Sequence, residues 1–232
     1  MNLHKFLAAL IITSSTINCA QWLTESQNTM HTSKQIYLTT LREKNTSVID
    51  YRKATERVAG ILACEALEHI QAQEVIIETP LASISGLEQN HQIILLPVIR
   101  SGLTMLPTFL NYFETARVAF VGLARDEETA KAHWYYEKFP KLTGDEYVII
   151  LEPMLATGGT GIEVLTKLES LGIAQERIIF ASVVCAPEGL EAIYARFPNI
   201  KIITLAVDSH LNDTKFIVPG LGDFGDRYFG TE

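Results

Sequence analysis

The stretch VIILEPMLATGGTGIEVLTKL, residues 148–168, decides how this chain is read. An apolar run from Val148 to Leu151 ends at an acid, Glu152. Met154, Leu155, Ala156, Thr157, Gly158, Gly159 and Thr160 follow, and from Gly161 the apolar residues recur at helical spacing as far as Leu171, before Gly172. A strand, a glycine-rich turn and a helix start make a geometry for holding phosphate. The glycines let the backbone come close, the first N–H groups and the positive end of the helix dipole face an anion, and Thr157 and Thr160 add hydroxyl donors. An acid ahead of the turn would repel a bare phosphate. It makes sense where the ligand also carries sugar hydroxyls, which donate to a carboxylate. The turn is not a Walker loop, because no GKS or GKT follows, and it is not a GxGxxG dinucleotide turn.

Working outward, the same alternation recurs. Residues 51–72 carry Val58, Ile61, Leu62, Leu67 and Ile70 at helical spacing, a helix with one core face. EVIIET (74–79) is β-rich, and Pro80 and Gly86 mark a loop after it. IILLPVI (93–99) is nearly continuous apolar sequence, as in a strand buried on both faces. A helix over Leu103–Tyr112, strands over 116–124 and 147–152, a strand at 177–185, a helix opened by Pro187 and a last strand at 201–207 complete the pattern. The fold class expected is α/β, a parallel sheet flanked by helices. Ligands of such sheets sit beyond the carboxyl ends of the strands. That gathers the loops at 100–104, 125–131, 153–160 and 186–189 around one crevice, with the glycine-rich tail 208–232 as a flap over it.

The chain has 232 residues, 47% of them hydrophobic, and a formal net charge of −8. These values suit a folded domain and argue against a nucleic-acid partner, which favours a basic face. A phosphorylated ligand is compatible with the charge, since local cations and backbone donors dominate within a Debye length of roughly 8 Å. Cys19, Cys64 and Cys185 are widely spaced, without a zinc pattern. Cys64 and Cys185 lie in apolar runs and read as buried free thiols. Residues 1–29 form an N-terminal extension ahead of a domain at 30–232. Lys5 and the apolar run Phe6–Ile12 resemble an export signal, but that run is too short to span a membrane. A cytoplasmic enzyme is the expectation, with a mis-assigned start at Met30 or a plain extension as alternatives to export.

LEPMLATGGT (151–160) resembles the phosphoribosyl-diphosphate loop of type I phosphoribosyltransferases. Its Pro153-Met154-Leu155 version is similar to the uracil phosphoribosyltransferase family, where proline replaces the second acid of the general motif. PVIRSGLTM (97–105), GLARDEET (122–129), APEGLEAI (186–193) and IVPGLGDFGDRYFGT (217–231) are similar to further segments of that family, in the same order.

The resemblance implies transfer of ribose 5-phosphate from phosphoribosyl diphosphate to uracil, giving UMP and diphosphate. It implies a type I phosphoribosyltransferase-like fold with a β-arm and a C-terminal hood. The donor would be held by Glu152, Met154, Leu155, Ala156, Thr157, Gly158, Gly159 and Thr160, and by Arg100 and Arg125, whose guanidinium groups suit a diphosphate. Arg100, Arg125 and Asp223 are the catalytic candidates. Backbone groups of Ile217, Gly220, Leu221, Gly222 and Asp223 would take uracil. Mg²⁺ is implied as cofactor, held mainly by substrate and water, with Asp223 touching its shell through water. A GTP effector and a homodimer or higher homo-oligomer are further implications. The exposed aromatics Trp134, Tyr135 and Tyr136, read as part of an arm over 131–141, are candidates for the subunit contact. Three positions depart from the family pattern: Glu152 for aspartate, Phe216 for tyrosine and Phe224 for a small residue. The first would shift the ribose, the second removes a hydroxyl near the ligand, and the third would narrow the base slot. A non-catalytic binder of uridine nucleotide or donor is the alternative function on the same fold.

Overall fold

The computed structural model describes residues 32–125 and 132–231, with the side chains of Arg125 and Ala132 excluded. Two helices, α1 (Thr32–Arg42) and α2 (Val48–Leu67), lead into a hairpin of β1 (Gln73–Glu78) and β2 (Ser83–Glu88). Then come β3 (Ile93–Ile99), α3 (Leu106–Tyr112), β4 (Arg117–Val118), β5 (Phe120–Arg125), β6 (Ala132–Lys138), β7 (Tyr147–Leu151) and β8 (Met154–Leu155). The chain continues through α4 (Gly159–Ser170), β9 (Ile178–Cys185), α5 (Pro187–Arg196), β10 (Lys201–Val207), β11 (His210–Leu211), β12 (Ile217–Val218) and α6 (Phe224–Phe229).

The main sheet runs β10-β9-β7-β3-β5-β6; its first five strands are parallel and β6 pairs antiparallel with β5. Alternate residues of the strands feed two cores. Ile93, Leu95, Ile149, Leu151 and Ile179 pack with α2 and with Phe109 of α3 on one face. Ile94, Leu96, Val148, Ile150 and Phe180 pack with Val164, Leu165 and Leu168 of α4 and Ile193 of α5 on the other. The expected parallel sheet between helical layers is therefore present. The reason is visible in β3, β7 and β9, whose sequences are apolar at every position because both faces are covered.

The strand expected over 116–124 is interrupted at Ala119. Ala119 N–H donates to the Leu95 carbonyl, at 3.0 Å. Pro97, two residues further along β3 and facing the same neighbour, has no N–H to offer, so the ladder breaks before resuming at Val98 and Val121.

Three other expectations change. The loop expected from Pro80 to Gly86 is only a tight turn, and β2 passes through Gly86, whose partner is Val75. The 131–141 arm is the edge strand of the main sheet: Trp134 packs on its own domain, while Tyr135 and Tyr136 stay about half exposed. The projecting ribbon is instead β1–β2, where Ile76, Leu81, Ile84 and Leu87 are 72, 96, 56 and 77% exposed. Cys185 is buried as expected but Cys64 is exposed, on a helical face where exclusion from water is incomplete. The N-terminal extension with Cys19, and the loop segment Asp126–Thr129, lie outside the described residues.

Candidate active site

β3 and β7 are neighbours, yet the chain leaves β3 toward β5 on one side and returns through β7 on the other. That reversal of strand order opens a crevice at their carboxyl ends, the usual ligand position in such sheets. Arg100 and Ser101 follow β3 there, and Glu152 follows β7. The two segments touch: the Ser101 hydroxyl donates to Glu152 Oε1 at 3.1 Å. They also come close in backbone, since a Cβ on Gly102 would lie 2.1 Å from the Leu151 carbonyl oxygen. The glycine of the Arg-Ser-Gly segment is thus needed to bring Arg100 and Glu152 into one site.

Burial pushes the Glu152 carboxyl up to about 8; the Ser101 hydroxyl and the Met154 N–H pull the other way, and the nearby charge of Asp223 adds to the rise. The residue as a whole is partly exposed, while its carboxyl is enclosed by the surrounding protein.

Beyond Glu152 the chain makes β8 and then turns. Gly158 stands at the N-cap of α4 with φ +79°, a left-handed conformation that side chains rarely adopt. A Cβ there would sit 2.9 Å from the Gly189 carbonyl oxygen, and a Cβ on Gly189 would sit 2.4 Å from that of Ala156. Two glycines, one in the turn and one in the APEGLEAI segment, therefore let the turn lie against the start of α5. Gly159 is exposed, and α4 runs for 12 residues behind it. Its first N–H groups have no carbonyl one turn back to bond; that of Gly159 donates to the Thr157 hydroxyl at a long 3.4 Å, and the helix dipole stands behind them.

Arg100 reaches the crevice from the other side. It is 57% exposed and pairs with Asp226 of α6, Nη2 to Oδ1, at 3.0 Å. Thr231 donates a second hydrogen bond to the same oxygen. The Arg125 backbone closes the end of β5 against Ala132.

The flap lies across this end of the sheet. Asp223 caps α6, its Oδ1 accepting the Asp226 N–H at 2.8 Å. Gly220 and Gly222 both have positive φ, +61° and +81°. Gly222 is exposed, whereas Ile217, Gly220 and Leu221 are buried. Both backbone groups of Gly220 are already engaged: its N–H with Asp208 and its carbonyl with Arg42. The Leu221 carbonyl accepts from Arg227. Of the flap residues named from sequence, Gly222 and Asp223 are thus the ones displayed toward solvent. Phe224 does not narrow any slot. It is buried against Tyr51 of α2, ring centroids 5.3 Å apart, while Phe216 is about half exposed on the turn between β11 and β12.

Among the described residues no group of three or more His, Cys, Asp or Glu side chains is arranged to hold a metal. Two acids, Glu152 and Asp223, lie near enough for the charge of one to act on the other. That donor set fits an ion that takes most of its ligands from substrate phosphate and water, as Mg²⁺ commonly does, and not one held by the chain alone.

The chain matches the family model described as uracil phosphoribosyltransferase over residues 28–231. It belongs to the uracil phosphoribosyltransferase family. It is 36% identical over 203 residues to the uracil phosphoribosyltransferase of Limosilactobacillus reuteri, covering 87% of this chain and 96% of that protein. It is 40% identical over 194 residues to the Salinibacter ruber protein of the same name, covering 84% and 91%. A solved structure from Aquifex aeolicus superimposes with a TM-score of 0.78 at 34% identity, covering 87% of this chain and 96% of that one. The fold resemblance drawn from five sequence motifs is thereby established over nearly the whole described chain.

Several residues that shape the site carry no role in the motifs, although Ser101, Asp226 and Arg227 lie within the segments 97–105 and 217–231. Asp226, Arg42, Asp208 and Arg227 act through contacts 126 to 186 residues apart in sequence, which no local pattern encodes. Asp208 did leave one trace: like Glu152, it is an acid placed immediately after a buried strand.

Proposed function

We propose that this protein transfers ribose 5-phosphate from phosphoribosyl diphosphate to N1 of uracil, releasing UMP and diphosphate. The observation that carries the reading is the Glu152-to-Thr160 turn, which joins the acid at the end of β7 to the N-terminus of α4 at the switch point of a parallel sheet. The 5′-phosphate is received by the N–H groups and hydroxyls of Ala156–Thr160. Glu152 accepts hydrogen bonds from the ribose hydroxyls, and Ser101 holds its carboxyl in place. Arg100, and Arg125 from the end of β5, bind the diphosphate that leaves. As the bond from C1′ to the diphosphate oxygen breaks, positive charge grows on the ribose and negative charge on the leaving group. Stabilising the latter is where most of the rate enhancement arises. The C1′–N1 bond then forms as the N1 proton of uracil passes to water. Mg²⁺, when bound, neutralises charge on the diphosphate; Asp223, through water, is the protein group suited to steady it. No observation favours the alternative of a non-catalytic nucleotide binder.

The test is direct. The protein incubated with uracil, phosphoribosyl diphosphate and Mg²⁺ should produce UMP, with cytosine, hypoxanthine and orotate as poor acceptors. Turnover of another base in preference to uracil would reject the substrate assignment. Omitting Mg²⁺ should abolish most of the product.

The Glu152 carboxyl predicts a proton signature. Folding raises its titration from the ordinary 4.5 to about 8, so the unliganded fold holds a proton that the unfolded chain has lost. The contribution of this group to stability therefore falls as pH climbs from about 4.5 to about 8. Ribose hydroxyls donate to the ionised form, so donor binding expels the proton. Calorimetry near pH 7 in buffers of different ionisation enthalpy should show Glu152→Gln releasing about one proton fewer than the wild type. Equal release by both would remove Glu152 from the ribose site.

The protein is further read as a cytoplasmic homodimer with residues 1–29 as an extension. Among the described residues no helix is long and apolar enough to cross a membrane. The β1–β2 hairpin supports self-association better than Trp134 does, because it exposes apolar side chains on both faces, Ile76 and Leu87 on one and Ile77 and Ile84 on the other, with Leu81 at its turn, which isolated domains rarely leave in water. Light scattering should give a dimer, and Leu87→Asp, on that exposed ribbon, should shift it to monomer without unfolding. A wild-type monomer at working concentration would contradict this.

A further inference from the structure

The flap is fastened by an ion pair that stands outside the donor turn. Asp208 follows β10 directly, and its N–H donates to the Cys185 carbonyl at the end of β9, at 2.8 Å, so its backbone is fixed to the carboxyl edge of the sheet. Its side chain is only 4% exposed and receives three hydrogen bonds. Arg42, the last residue of α1, grips it in a fork, Nη2 to Oδ1 at 2.5 Å and Nη1 to Oδ2 at 2.8 Å. The third donor is the Gly220 N–H, 2.8 Å from Oδ2. Arg42 Nη1 also donates to the Gly220 carbonyl, at 2.6 Å. One pair therefore closes both backbone polar groups of a single flap glycine. No larger residue can replace Gly220 without moving the flap, since a Cβ there would lie 2.1 Å from the Ile217 carbonyl oxygen. The next carbonyl, Leu221, is taken by Arg227 at 2.6 Å, and Arg227 lies over the Tyr51 ring, 4.5 Å from its centroid.

We propose that Arg42 and Asp208 are positioning residues for the acceptor base. They set the peptide planes at Gly220 and Leu221, and thereby aim Gly222 and Asp223 into the crevice. This rests on reading the flap as the base slot. A purely stabilising role explains the arrangement less well. A buried carboxylate–guanidinium pair gains little net stability after desolvation. The flap already has apolar anchors in Ile217, Leu221 and Phe224, each no more than 6% exposed. What the pair adds is orientation, through a forked contact with fixed geometry. Neither residue touches the donor turn, and the Asp223 carboxyl is held separately by the Asp226 N–H, so the effect falls mainly on the base.

Kinetics of Asp208→Ala, Asp208→Asn and Arg42→Lys test the proposal, with KM for uracil and for phosphoribosyl diphosphate measured separately and folding monitored by thermal unfolding. Asp208→Ala should raise the uracil KM about tenfold or more and change the donor KM by no more than about twofold. Arg42→Lys, which keeps the charge but loses the fork, should fall between wild type and Asp208→Ala. If Asp208→Ala does not fold, Asp208→Asn and Arg42→Lys must show the same uracil-selective rise. An unchanged uracil KM in a folded variant, or parallel changes in both KM values, would overturn the positioning role and leave the activity standing. A wild-type protein that makes no UMP would overturn both.

Discussion

Replacing Arg100 with alanine is expected to lower kcat/KM for UMP formation at least about a hundredfold, roughly 3 kcal/mol of transition-state stabilisation. The guanidinium follows β3 at the switch point and is more than half exposed, so nothing in the core depends on it. Its partner in the structure is Asp226, and an exposed ion pair of this kind adds little to stability. Thermal unfolding of Arg100→Ala should therefore stay close to wild type while turnover collapses. Asp226→Asn separates the two roles of the arginine. If Arg100 serves only to hold α6, removing its partner should be as damaging as removing Arg100 itself. If it serves the diphosphate, Asp226→Asn should keep kcat/KM within a few-fold of wild type. The diphosphate carries more charge than one carboxylate, so it competes well for the same guanidinium.

The second large effect is expected at Gly158. Valine there meets two penalties. A φ of +79° is strained for a β-branched residue, and the new Cβ would press on the Gly189 carbonyl oxygen 2.9 Å away. Neither atom is the end of a flexible side chain, so the turn itself must move. Gly158→Val should lower stability by about 1–3 kcal/mol and weaken donor binding about a hundredfold or more, as misplacing a substrate-holding segment by an ångström does. Chemical denaturation and donor titration measure the two separately. Donor affinity equal to wild type in the folded variant would mean that the phosphate is not held there.

Much of this was legible along the chain because β3, β7 and β9 are apolar at every position, and a strand covered on both faces has no other way to be written. The donor turn was equally plain: acid, two threonines and two adjacent glycines fall within nine residues of a helix. Reading went astray where local chemistry has two solutions. Pro80 and Gly86 suggest a loop, but Gly86 sits in a mostly exposed hairpin strand where only the Ile77 side chain lies beside it. Phe224 was read as lining the slot, yet its ring turns inward to Tyr51, a residue of α2 far off in sequence. Trp134 lies on an edge strand with one covered face, so its exposure could not be judged without the sheet. The flap was visible as glycines but not as a fastened element. Arg42 and Arg227 hold it through backbone carbonyls, and a carbonyl is the same at every residue. Glu152 could be placed but not its titration, which follows from burial by the folded chain and, to a lesser degree, from the charge of Asp223.

The central claim is that the turn after Glu152 grips a sugar phosphate at the start of α4. A crystal structure with phosphoribosyl diphosphate and Mg²⁺ tests it most directly. The account predicts the 5′-phosphate on the N–H groups of Gly159, Thr160 and Gly161, the ribose hydroxyls on Glu152, and Arg100 swung from Asp226 to the diphosphate. A donor bound elsewhere, with that turn empty and Arg100 still on Asp226, would contradict it.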